Sequence, residues 1–407
     1  MENPKIRFKG FTKDWEQRKW MNSVDISTEM VDPASGEYDD MPHIAPGNIE
    51  SFTGRVLDNV RTVKEEQLIS GKFRFRPDDV VYGKINPQLG KYFYASVDGL
   101  TSADAYVFKG KNGITQKFLF SLLQTSDFFK YSVSVSKRSG MPKINRDELN
   151  AYAFLAPSEE EQDKIGNFLL ELDHLITLHQ RKCEQTKKLK KYMLQKMFPQ
   201  NGEKIPKIRF DGFTYDWEQR KFGEITELKS ASRVHKDEWT SNGVPFYRSS
   251  DVMTAINGTE NEKAFISEEL YEKLSKVSGK LEEGDILVTG GGSVGNPYIV
   301  PDNKPLYTKD ADLLWIKNKG KFHPYFLYEF FFSPTFRNYL GSISHVGTIA
   351  HYTITQLSDT PISLPSFEEQ KEVGEYFQSL DCLITLHQRK CDELKKMKKY
   401  MLQNMFI

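Results

Sequence analysis

A glycine-rich run at residues 290–297, Gly-Gly-Gly-Ser-Val-Gly-Asn-Pro, has the residue types that bind phosphate through backbone N–H groups. It follows an apolar Ile-Leu-Val segment at 286–288, the position that a phosphate-binding turn takes after a strand. The run lacks the Gly-Lys-Ser/Thr ending of a phosphate loop, and Pro297 opposes a helix directly after it. The pattern therefore favours a loop whose backbone approaches a ligand over a nucleotide-binding site.

The other reactive side chains form no catalytic or metal-binding pattern. Cys183, Cys382 and Cys391 lack Cys-x-x-Cys or His-x-x-x-His spacing, so small buried thiols in a reducing compartment are favoured. Asn-Pro-Gln at 86–88 and Asn-Pro-Tyr at 296–298 both fall short of the Asn/Asp-Pro-Pro-Tyr/Phe methyltransferase motif. We therefore predict no catalytic residue, no metal ligand and no cofactor bound by this chain, and we expect a binding protein.

The elements that must position any binding site are duplicated. Residues 4–19 recur at 206–221 with only Asp211 and Tyr215 in place of Lys9 and Lys13. Residues 175–198 recur at 383–406 with 19 of 24 positions identical. The segments between these repeats look unlike each other. Duplicated scaffolding with diverged intervening segments predicts a protein that reads two different things at a fixed separation.

Each repeat ends in a long predicted helix. Ser158-x-x-Glu161 and Ser366-x-x-Glu369 are capping boxes, in which the hydroxyl accepts an early backbone N–H and the glutamate reaches back. Apolar positions then recur in alternating steps of four and three, with polar interruptions such as His179. The resulting helix-pair seam comprises Ile165, Leu169, Leu172, Ile176 and Cys183 in the first helix and Val373, Phe377, Leu380, Ile384 and Cys391 in the second.

Such a helix spans roughly 60 Å and cannot bury its own seam, so its natural partner is its twin. Antiparallel pairing would return the C-terminus to the first domain, which predicts a circular, pseudo-two-fold molecule with two domains at the ends of a helical rod. Both helix ends are rich in Lys and Arg. A solvated face that suits the helix dipole and a face turned to phosphate or to a partner remain equally open.

The segments between the repeats read as short strands, turns and aromatic-rich helices, so the predicted fold class is α+β, with both domains sharing one fold under diverged surfaces. The predicted divisions are residues 1–156 (first domain with its N-terminal motif), 157–199 (first long helix), 200–364 (second domain with the repeated motif) and 365–407 (second long helix).

Composition and charge restrict the class of protein but do not indicate a function. The 407 residues carry a formal net charge of +0, which neither supports nor excludes a nucleic-acid partner. No stretch approaches the ~20 apolar residues of a membrane helix, and the N-terminus has no signal-peptide core. We therefore expect a cytoplasmic protein with no membrane partner.

These motifs resemble the specificity subunit of a type I restriction-modification enzyme over essentially the full length. The resemblance is carried by Lys-Ile-Arg-Phe at 5–8 with Asp-Trp-Glu at 14–16, by Pro-Ser-Glu-Glu-Glu-Gln at 157–162 and by Leu-Asp at 172–173, together with their second copies. The combination is specific, whereas any one of these motifs would be weak.

The resemblance implies a non-catalytic subunit in which each variable domain is a target recognition domain for one half of a bipartite, asymmetric DNA sequence. The duplicated helices would space the halves and dock two modification subunits. Those partners would supply S-adenosylmethionine and methylate adenines, and restriction subunits would supply ATP- and Mg-dependent translocation and cleavage.

Base discrimination needs bidentate donors in the major groove, each worth roughly 1–3 kcal/mol, whereas phosphate contacts supply most of the affinity. Polar residues in Gly- or Ser-bearing loops are therefore the candidates for DNA contact. In the first domain these are Lys84, Asn86, Gln88, Lys91, Tyr92, Lys137, Arg138 and Ser139. In the second they are Arg248, Ser249, Ser250, Ser293, Asn296, Lys309, His345, Thr348, His351 and Tyr352.

Two other functions compete with this interpretation. A helical scaffold with two adaptor domains would bind protein and no nucleic acid, and a salt-dependent gel shift discriminates it from a DNA reader. A stand-alone enzyme with an unrecognised site would turn over a substrate without partners.

Overall fold

The computed structural model describes residues 3–137, 140–200, 202–309, 312–343 and 351–407. The chain divides into two compact units. The first unit comprises Met1–Lys182 and His387–Ile407, and the second comprises Cys183–Leu386. Both mix helices with small sheets, which confirms the predicted α+β class.

The strands of the first unit are short. They are β1 (Glu16–Lys19), β2 (Val24–Ile26), β3 (Met30–Val31), β4 (Pro42–His43), β5 (Arg61–Thr62), β6 (Lys72–Phe75), β7 (Val80–Gly83), β8 (Tyr92–Tyr94), β9 (Gly99–Thr101), β10 (Ala105–Gly110) and β11 (Ala153–Ala156). Its helices are α1 (Trp20–Ser23), α2 (Gln116–Leu122), α3 (Ser126–Val135), α4 (Arg146–Asn150) and the beginning of α5 (Glu159–Lys196).

These strands form three sheets, with orders β1-β11, β2-β10-β7-β8 and β3-β6-β9-β4-β5. Strand β7 is apolar and buried along its whole length, which is typical of a strand covered on both faces. The core forms around Trp20, whose ring lies 5.1 Å from that of Phe108 and 5.6 Å from that of Phe128. The four-stranded sheet is thereby fixed against α3.

The strands of the second unit are β12 (Glu218–Lys221), β13 (Leu228–Ser230), β14 (Trp239–Thr240), β15 (Val244–Tyr247), β16 (Ala264–Ile266), β17 (Ile286–Thr289), β18 (Pro297–Ile299), β19 (Tyr307–Thr308), β20 (Leu313–Ile316) and β21 (Pro361–Leu364). Its helices are α6 (Phe222–Ile225), α7 (Ser249–Asn257), α8 (Glu268–Ser278), α9 (Pro324–Phe330), α10 (Pro334–Ile343), α11 (Ile354–Asp359) and most of α12 (Phe367–Asn404).

Two of its three sheets repeat those of the first unit. The orders β12-β21 and β13-β20-β17-β18 match β1-β11 and β2-β10-β7-β8 strand for strand. Phe222 takes the place of Trp20 and packs 5.8 Å from Phe331. The third sheet, β14-β16-β15-β19, differs from its counterpart in strand number and order, and α7 and α8 lie in this region of the chain. The difference in strand topology between the units therefore lies in the third sheet.

The long helices begin where the capping boxes predict, but the glutamate side chains of these boxes bind arginines of the repeated segments 4–19 and 206–221. Glu161 accepts from Arg7 Nε at 2.7 Å and Nη2 at 2.8 Å, and Glu369 accepts from Arg209 in the same way. Ser366 Oγ does accept from the backbone N–H of Glu369, at 3.3 Å. A bidentate guanidinium is a stronger partner for a buried carboxylate than one backbone N–H, so each N-terminal motif is fastened to the start of its long helix.

Within each unit the two long helices run antiparallel. In the first unit Asp173 pairs with Lys398, and His179 Nδ1 lies 3.0 Å from His387 Nδ1. In the second unit Lys190 Nζ lies 2.7 Å from Asp381 Oδ2, and Cys183 Sγ lies 3.8 Å from the carbonyl oxygen of Ile384.

The predicted seam residues are buried, except for Ile384, which is half-buried. Ile165, Leu169 and Leu172 share a core with Trp15 and Phe118, and their second copies do the same with Trp217 and Phe326. The first part of each seam therefore packs on its own domain as well as on the other long helix.

Glycines allow this close packing. A Cβ on Gly166 of α5 would lie 2.6 Å from Lys117 Cβ, and one on Gly374 of α12 would lie 2.3 Å from His323 Nδ1. Within the described residues, no helix has the length and apolar character needed to cross a membrane.

Candidate nucleic-acid interface

One loop occupies the same place in both units. The first hairpin loop, residues 84–91, joins β7 to β8, and the second hairpin loop, residues 290–296, joins β17 to β18. Both strand pairs are antiparallel members of the four-stranded sheets. The glycine-rich run singled out from the sequence is thus the counterpart of a segment that reads Lys-Ile-Asn-Pro-Gln-Leu-Gly-Lys.

Equivalent backbone hydrogen bonds hold both loops. The N–H of Lys84 donates to the carbonyl oxygen of Asp104 at 2.9 Å, and that of Gly290 donates to the carbonyl oxygen of Asp312 at 2.8 Å. The N–H of Ile144 then donates to Lys84 at 3.0 Å, just as Tyr352 donates to Gly290 at 2.8 Å.

Isolated bridges also join Ile85 to Lys143 and Gly291 to His351. The anchoring of the two loops is therefore the same, although their side chains are unrelated.

The first hairpin loop turns through left-handed backbone at Asn86, with φ 50°, and at Gly90, with φ 54°. A side chain on Gly90 would meet the Phe52 ring at 2.5 Å, so the turn needs a glycine there. Lys91 donates its ammonium to the carbonyl oxygen of Ile49, which commits it to the scaffold. Gln88 is exposed and donates to Asn86 Oδ1 at 3.3 Å, leaving most of its amide open to solvent.

The second hairpin loop closes on itself. Asn296 donates its Nδ2 to the carbonyl oxygen of Ser293 at 2.8 Å, while its Oδ1 accepts from Arg337 Nη2 at 2.9 Å. Both ends of this amide are thus engaged within the protein, which favours a loop-stabilising role for Asn296 over direct base reading. Gly295, with φ 74°, lies where a Cβ would meet Leu340 Cδ2 at 2.7 Å.

Arg337 is a residue that sequence reasoning missed. Burial lowers the pKa of its guanidinium, which donates to Asn296 Oδ1 and, at 3.4 Å, to the carbonyl oxygen of Val294. It also stacks over Phe332, 5.5 Å from the ring centre. No motif marks it, because it lies on α10, 41 residues from the amide that it holds.

Three other candidates in the second unit are tied to the scaffold. Arg248 donates its Nε to Asp251 at 2.9 Å and its Nη2 to the carbonyl oxygen of Glu262 at 2.6 Å. Ser249 Oγ donates to the carbonyl oxygen of Asp312 at 3.0 Å, and Lys309 pairs with the Asp312 carboxylate at 2.5 Å.

Two of the residues predicted to contact DNA lie in the protein core instead. Tyr92 is 4% exposed and Tyr352 is 1% exposed. Burial raises the pKa of both phenols, and the Tyr352 hydroxyl is bonded to Thr360 Oγ1. Their aromatic bodies supply apolar area to strands and neighbouring helices, which the polar appearance of the surrounding sequence conceals.

The remaining candidates divide into two groups. Arg138, Ser139, His345 and Thr348 lie outside the described residues. Gln88, Lys137, Ser250, Ser293 and His351 are exposed.

A basic cluster lies at the beginning of the first hairpin loop, and sequence reasoning had singled out only its member Lys84. It consists of Lys84 and Arg146 over the ring of Tyr106 and of Lys143, whose charge helps to lower the pKa of Lys84. Lys143 and Arg146 flank Asn145, the N-cap of α4, and both are exposed. The bridge between Ile85 and Lys143 and the hydrogen bond from the Ile144 N–H to the Lys84 carbonyl oxygen bring them to Lys84, so no local spacing could have revealed the cluster.

Among the described residues, no three His, Cys, Asp or Glu side chains come together in a way that could hold a metal ion.

Comparison with known proteins follows the same division of the chain. The family model described as "Type I restriction modification DNA specificity domain" matches twice, at residues 25–188 and 215–396. Each match includes one domain with a hairpin loop and a large part of one long helix.

Two curated proteins and one solved structure are similar to this chain. The type I restriction enzyme EcoDI specificity subunit of Escherichia coli is 32% identical over 152 residues, which span 37% of this chain and 33% of that protein. The type I restriction enzyme MjaVIII specificity subunit of Methanocaldococcus jannaschii is 25% identical over 315 residues, 72% of this chain and 73% of that protein.

The crystal structure of the type I restriction-modification system S subunit from M. genitalium shares the fold, with a TM-score of 0.66 at 15% identity. That alignment covers 100% of this chain and 99% of the other.

Specificity subunits are the non-catalytic components of restriction-modification complexes, and the family model covers both halves of this chain. The chain therefore belongs to the type I restriction-modification DNA specificity family.

Proposed function

We propose that this chain is the DNA-reading subunit of a type I restriction-modification complex and that each unit reads one half of a bipartite, asymmetric target. One observation carries this proposal: the two hairpin loops are held by equivalent backbone bonds but present unrelated side chains. A constant backbone fixes where a loop meets the duplex, while the side chains decide which base edges it accepts.

A domain exchange tests the division of labour. Residues 20–156 are replaced by the corresponding segment of another family member, and the exchanged chain is expressed with its modification subunit. Sequencing of N6-methyladenine should then show a change in one half of the methylated sequence only, because the second hairpin loop is untouched. A change in both halves, or in neither, would contradict the proposal.

We also propose that the paired long helices set the gap between the two halves. Helix α5 has 38 residues, and each added heptad lengthens a helix by roughly 10 Å, or about three base pairs of duplex. Inserting one heptad into α5 should lengthen the unread gap and leave both half-sites unchanged. An unaltered gap would remove the spacing role.

Partner docking is proposed for the outer faces of the long helices. Leu189 and Tyr192 lie one turn apart on α5 in the second unit and are 41% and 49% exposed. Their second copies, Met397 and Tyr400 on α12 in the first unit, are 45% and 55% exposed. Duplicated exposed apolar pairs fit two copies of one partner, which supports two modification subunits.

In this proposal the modification subunits bring S-adenosylmethionine, and restriction subunits bring the chemistry that uses ATP and Mg²⁺.

The docking proposal is tested by counting the modification subunits in the assembled complex. Leu189→Ser with Tyr192→Ser should remove one modification subunit from the complex in native mass spectrometry, and the matched pair Met397→Ser with Tyr400→Ser should remove the other. Val277→Ser on α8, which removes an apolar side chain that is 78% exposed, is the control and should leave the complex intact. Full assembly in both double variants would locate docking elsewhere.

A further inference from the structure

The basic cluster of the first unit is organised around one aromatic ring. The ammonium of Lys84 lies 4.9 Å from the centre of the Tyr106 ring, and the guanidinium of Arg146 lies 5.9 Å from the same centre. The bridge between Ile85 and Lys143 brings the third cation alongside. Cations held over a ring face keep a defined direction, which an isolated surface lysine lacks.

The cluster is not neutralised within the protein. In the described part of the chain none of its three cations forms an ion pair, and Arg146 donates only to the carbonyl oxygens of Ile26 and Ser27, at 3.4 and 3.1 Å. Burial lowers the pKa of Lys84, Asp104 opposes that change, and Lys143 and Arg146 reinforce it. The three positive charges therefore repel one another, and two nearby carboxylates, Asp104 beside Lys84 and Glu148 beside Tyr106, offset part of that repulsion.

Such an arrangement gains stability when an anion arrives, because the anion relieves the repulsion between the cations. Lysine acts on phosphate as a point charge, and arginine adds two parallel N–H donors. The cluster includes Lys84, the first residue of the first hairpin loop, and the Gln88 amide of that loop is exposed. A phosphate held by the cluster would therefore lie beside bases within reach of the loop.

The second unit has no such cluster at the equivalent positions. Gly290 stands in place of Lys84, His351 in place of Lys143 and Ile354 in place of Arg146, while Leu314 replaces Tyr106. The backbone framework is the same in both units, but the second unit lacks the three cationic side chains.

We infer that Lys84, Lys143 and Arg146 form a phosphate-anchoring site for the DNA backbone that belongs to the first half-site alone. This inference rests on the proposed DNA-reading function and deepens it. The first unit then holds its half of the target with a larger electrostatic contribution than the second unit does, and the two halves differ in their response to salt.

The test measures the affinity of the full-length chain, assembled with its modification subunits, for a duplex carrying the complete target at several salt concentrations. Each phosphate contact contributes about 0.9 to the slope of log affinity against log salt. The double variant Lys143→Gln with Arg146→Gln alters two exposed side chains and leaves Tyr106 covered by Lys84. Its slope should be shallower by about 2, so its deficit against wild type shrinks on the order of tenfold between 50 and 200 mM salt.

The control makes the same charge change elsewhere. Lys273 and Lys276 lie three residues apart on α8 of the second unit, and both are exposed. Lys273→Gln with Lys276→Gln should leave the slope within error of wild type. A methylation map supplies the second readout: the Lys143/Arg146 double variant should still methylate the same sequence, because phosphate contacts carry no base information.

The possible outcomes distinguish a failure of the phosphate-anchoring site from a failure of the proposed DNA-reading function. A wild-type complex without salt-dependent DNA binding would overturn the proposed function itself. Wild-type binding with an unchanged slope in the double variant would overturn only the phosphate site. A methylation map with reduced sequence specificity in the first half-site would show that the cluster reads bases. Loss of a modification subunit with an unchanged salt slope would show that the cluster binds an acidic protein surface. Either result overturns the inference.

Discussion

In each unit a lysine of one long helix pairs with an aspartate of the other, but the two units surround that pair differently. In the first unit Asp173 is the one ion-pair partner of Lys398 among the described residues. In the second, Lys190 meets both Asp381, at 2.7 Å, and Glu329, at 2.8 Å. Glu329 lies on α9, and its counterpart on α2 is Ser121, whose hydroxyl donates to the Lys117 carbonyl oxygen.

The difference shows that the two units diverge in their domains rather than in their long helices. The helices contribute the same lysine and aspartate to both units, and the neighbouring domain adds one buried carboxyl group to the second. Burial raises the pKa of Asp173 and lowers that of Lys398, so both partners are held at a desolvation cost. Burial also raises the pKa of Glu329 to about 8, against the opposing effect of Lys190.

The largest effect is expected from breaking the simpler pair. Lys398→Ala leaves Asp173 buried without its cation, which should destabilise the first unit by roughly 3–5 kcal/mol at pH 7. Hydrogen exchange resolved along the chain would measure the loss and show whether it is confined to the first unit.

The control replaces both partners. Lys398→Met with Asp173→Leu removes the desolvation cost together with the attraction, so it should recover most of the lost stability. A double variant as unstable as Lys398→Ala would mean that the pair acts through packing rather than charge.

A smaller, pH-dependent effect is expected in the second unit. The pKa of Glu329 is about 8 in the folded protein against an ordinary value of 4.5. Between these two pH values the folded protein therefore keeps a proton on Glu329 that the unfolded chain has released. The stability that this proton provides is fully present below about pH 4.5 and is lost as the pH rises to about 8. Glu329→Gln should therefore stabilise the second unit at pH 8.5, by on the order of 3 kcal/mol, and change little at pH 5.

Thermal melts from pH 5 to 9 measure this dependence. Glu283→Gln, at an exposed position of the second unit, is the matched control and should give a curve parallel to wild type. The reverse change, Ser121→Glu, should give the first unit the same loss of stability with rising pH. Parallel curves for Glu329→Gln and wild type would show that the additional carboxyl group makes no difference between the units.

The smallest effect concerns the repeated tryptophans. Trp217 donates its indole N–H to Glu369 Oε1 at 3.2 Å, whereas the indole N–H of the equivalent Trp15 has no acceptor among the described residues. Both rings are buried. Trp217→Phe should therefore cost about 1–2 kcal/mol more than Trp15→Phe in chemical denaturation. Equal costs would mean that the indole bond adds nothing to the packing of the ring.

Sequence reasoning reached the helices and the fold class because periodicity and capping are local properties. It placed Glu161 and Glu369 at the right helix ends but gave them the wrong partners, since Arg7 and Arg209 are 154 and 160 residues away. It proposed Tyr92 and Tyr352 as contacts because they lie among polar residues in Gly- or Ser-bearing segments, and only packing reveals that both rings are buried.

The sequence by itself determined that two copies of one framework exist, since identical residues repeated 202 and 208 positions apart must form the same local structure. It also marked the segments that differ. Only the tertiary structure decided which side chains stand together, because bridges such as the one between Ile85 and Lys143 join residues that no spacing relates. Charge clusters and buried ion pairs depend on distances of a few ångströms between remote segments, and those distances are set by the packing of the whole unit.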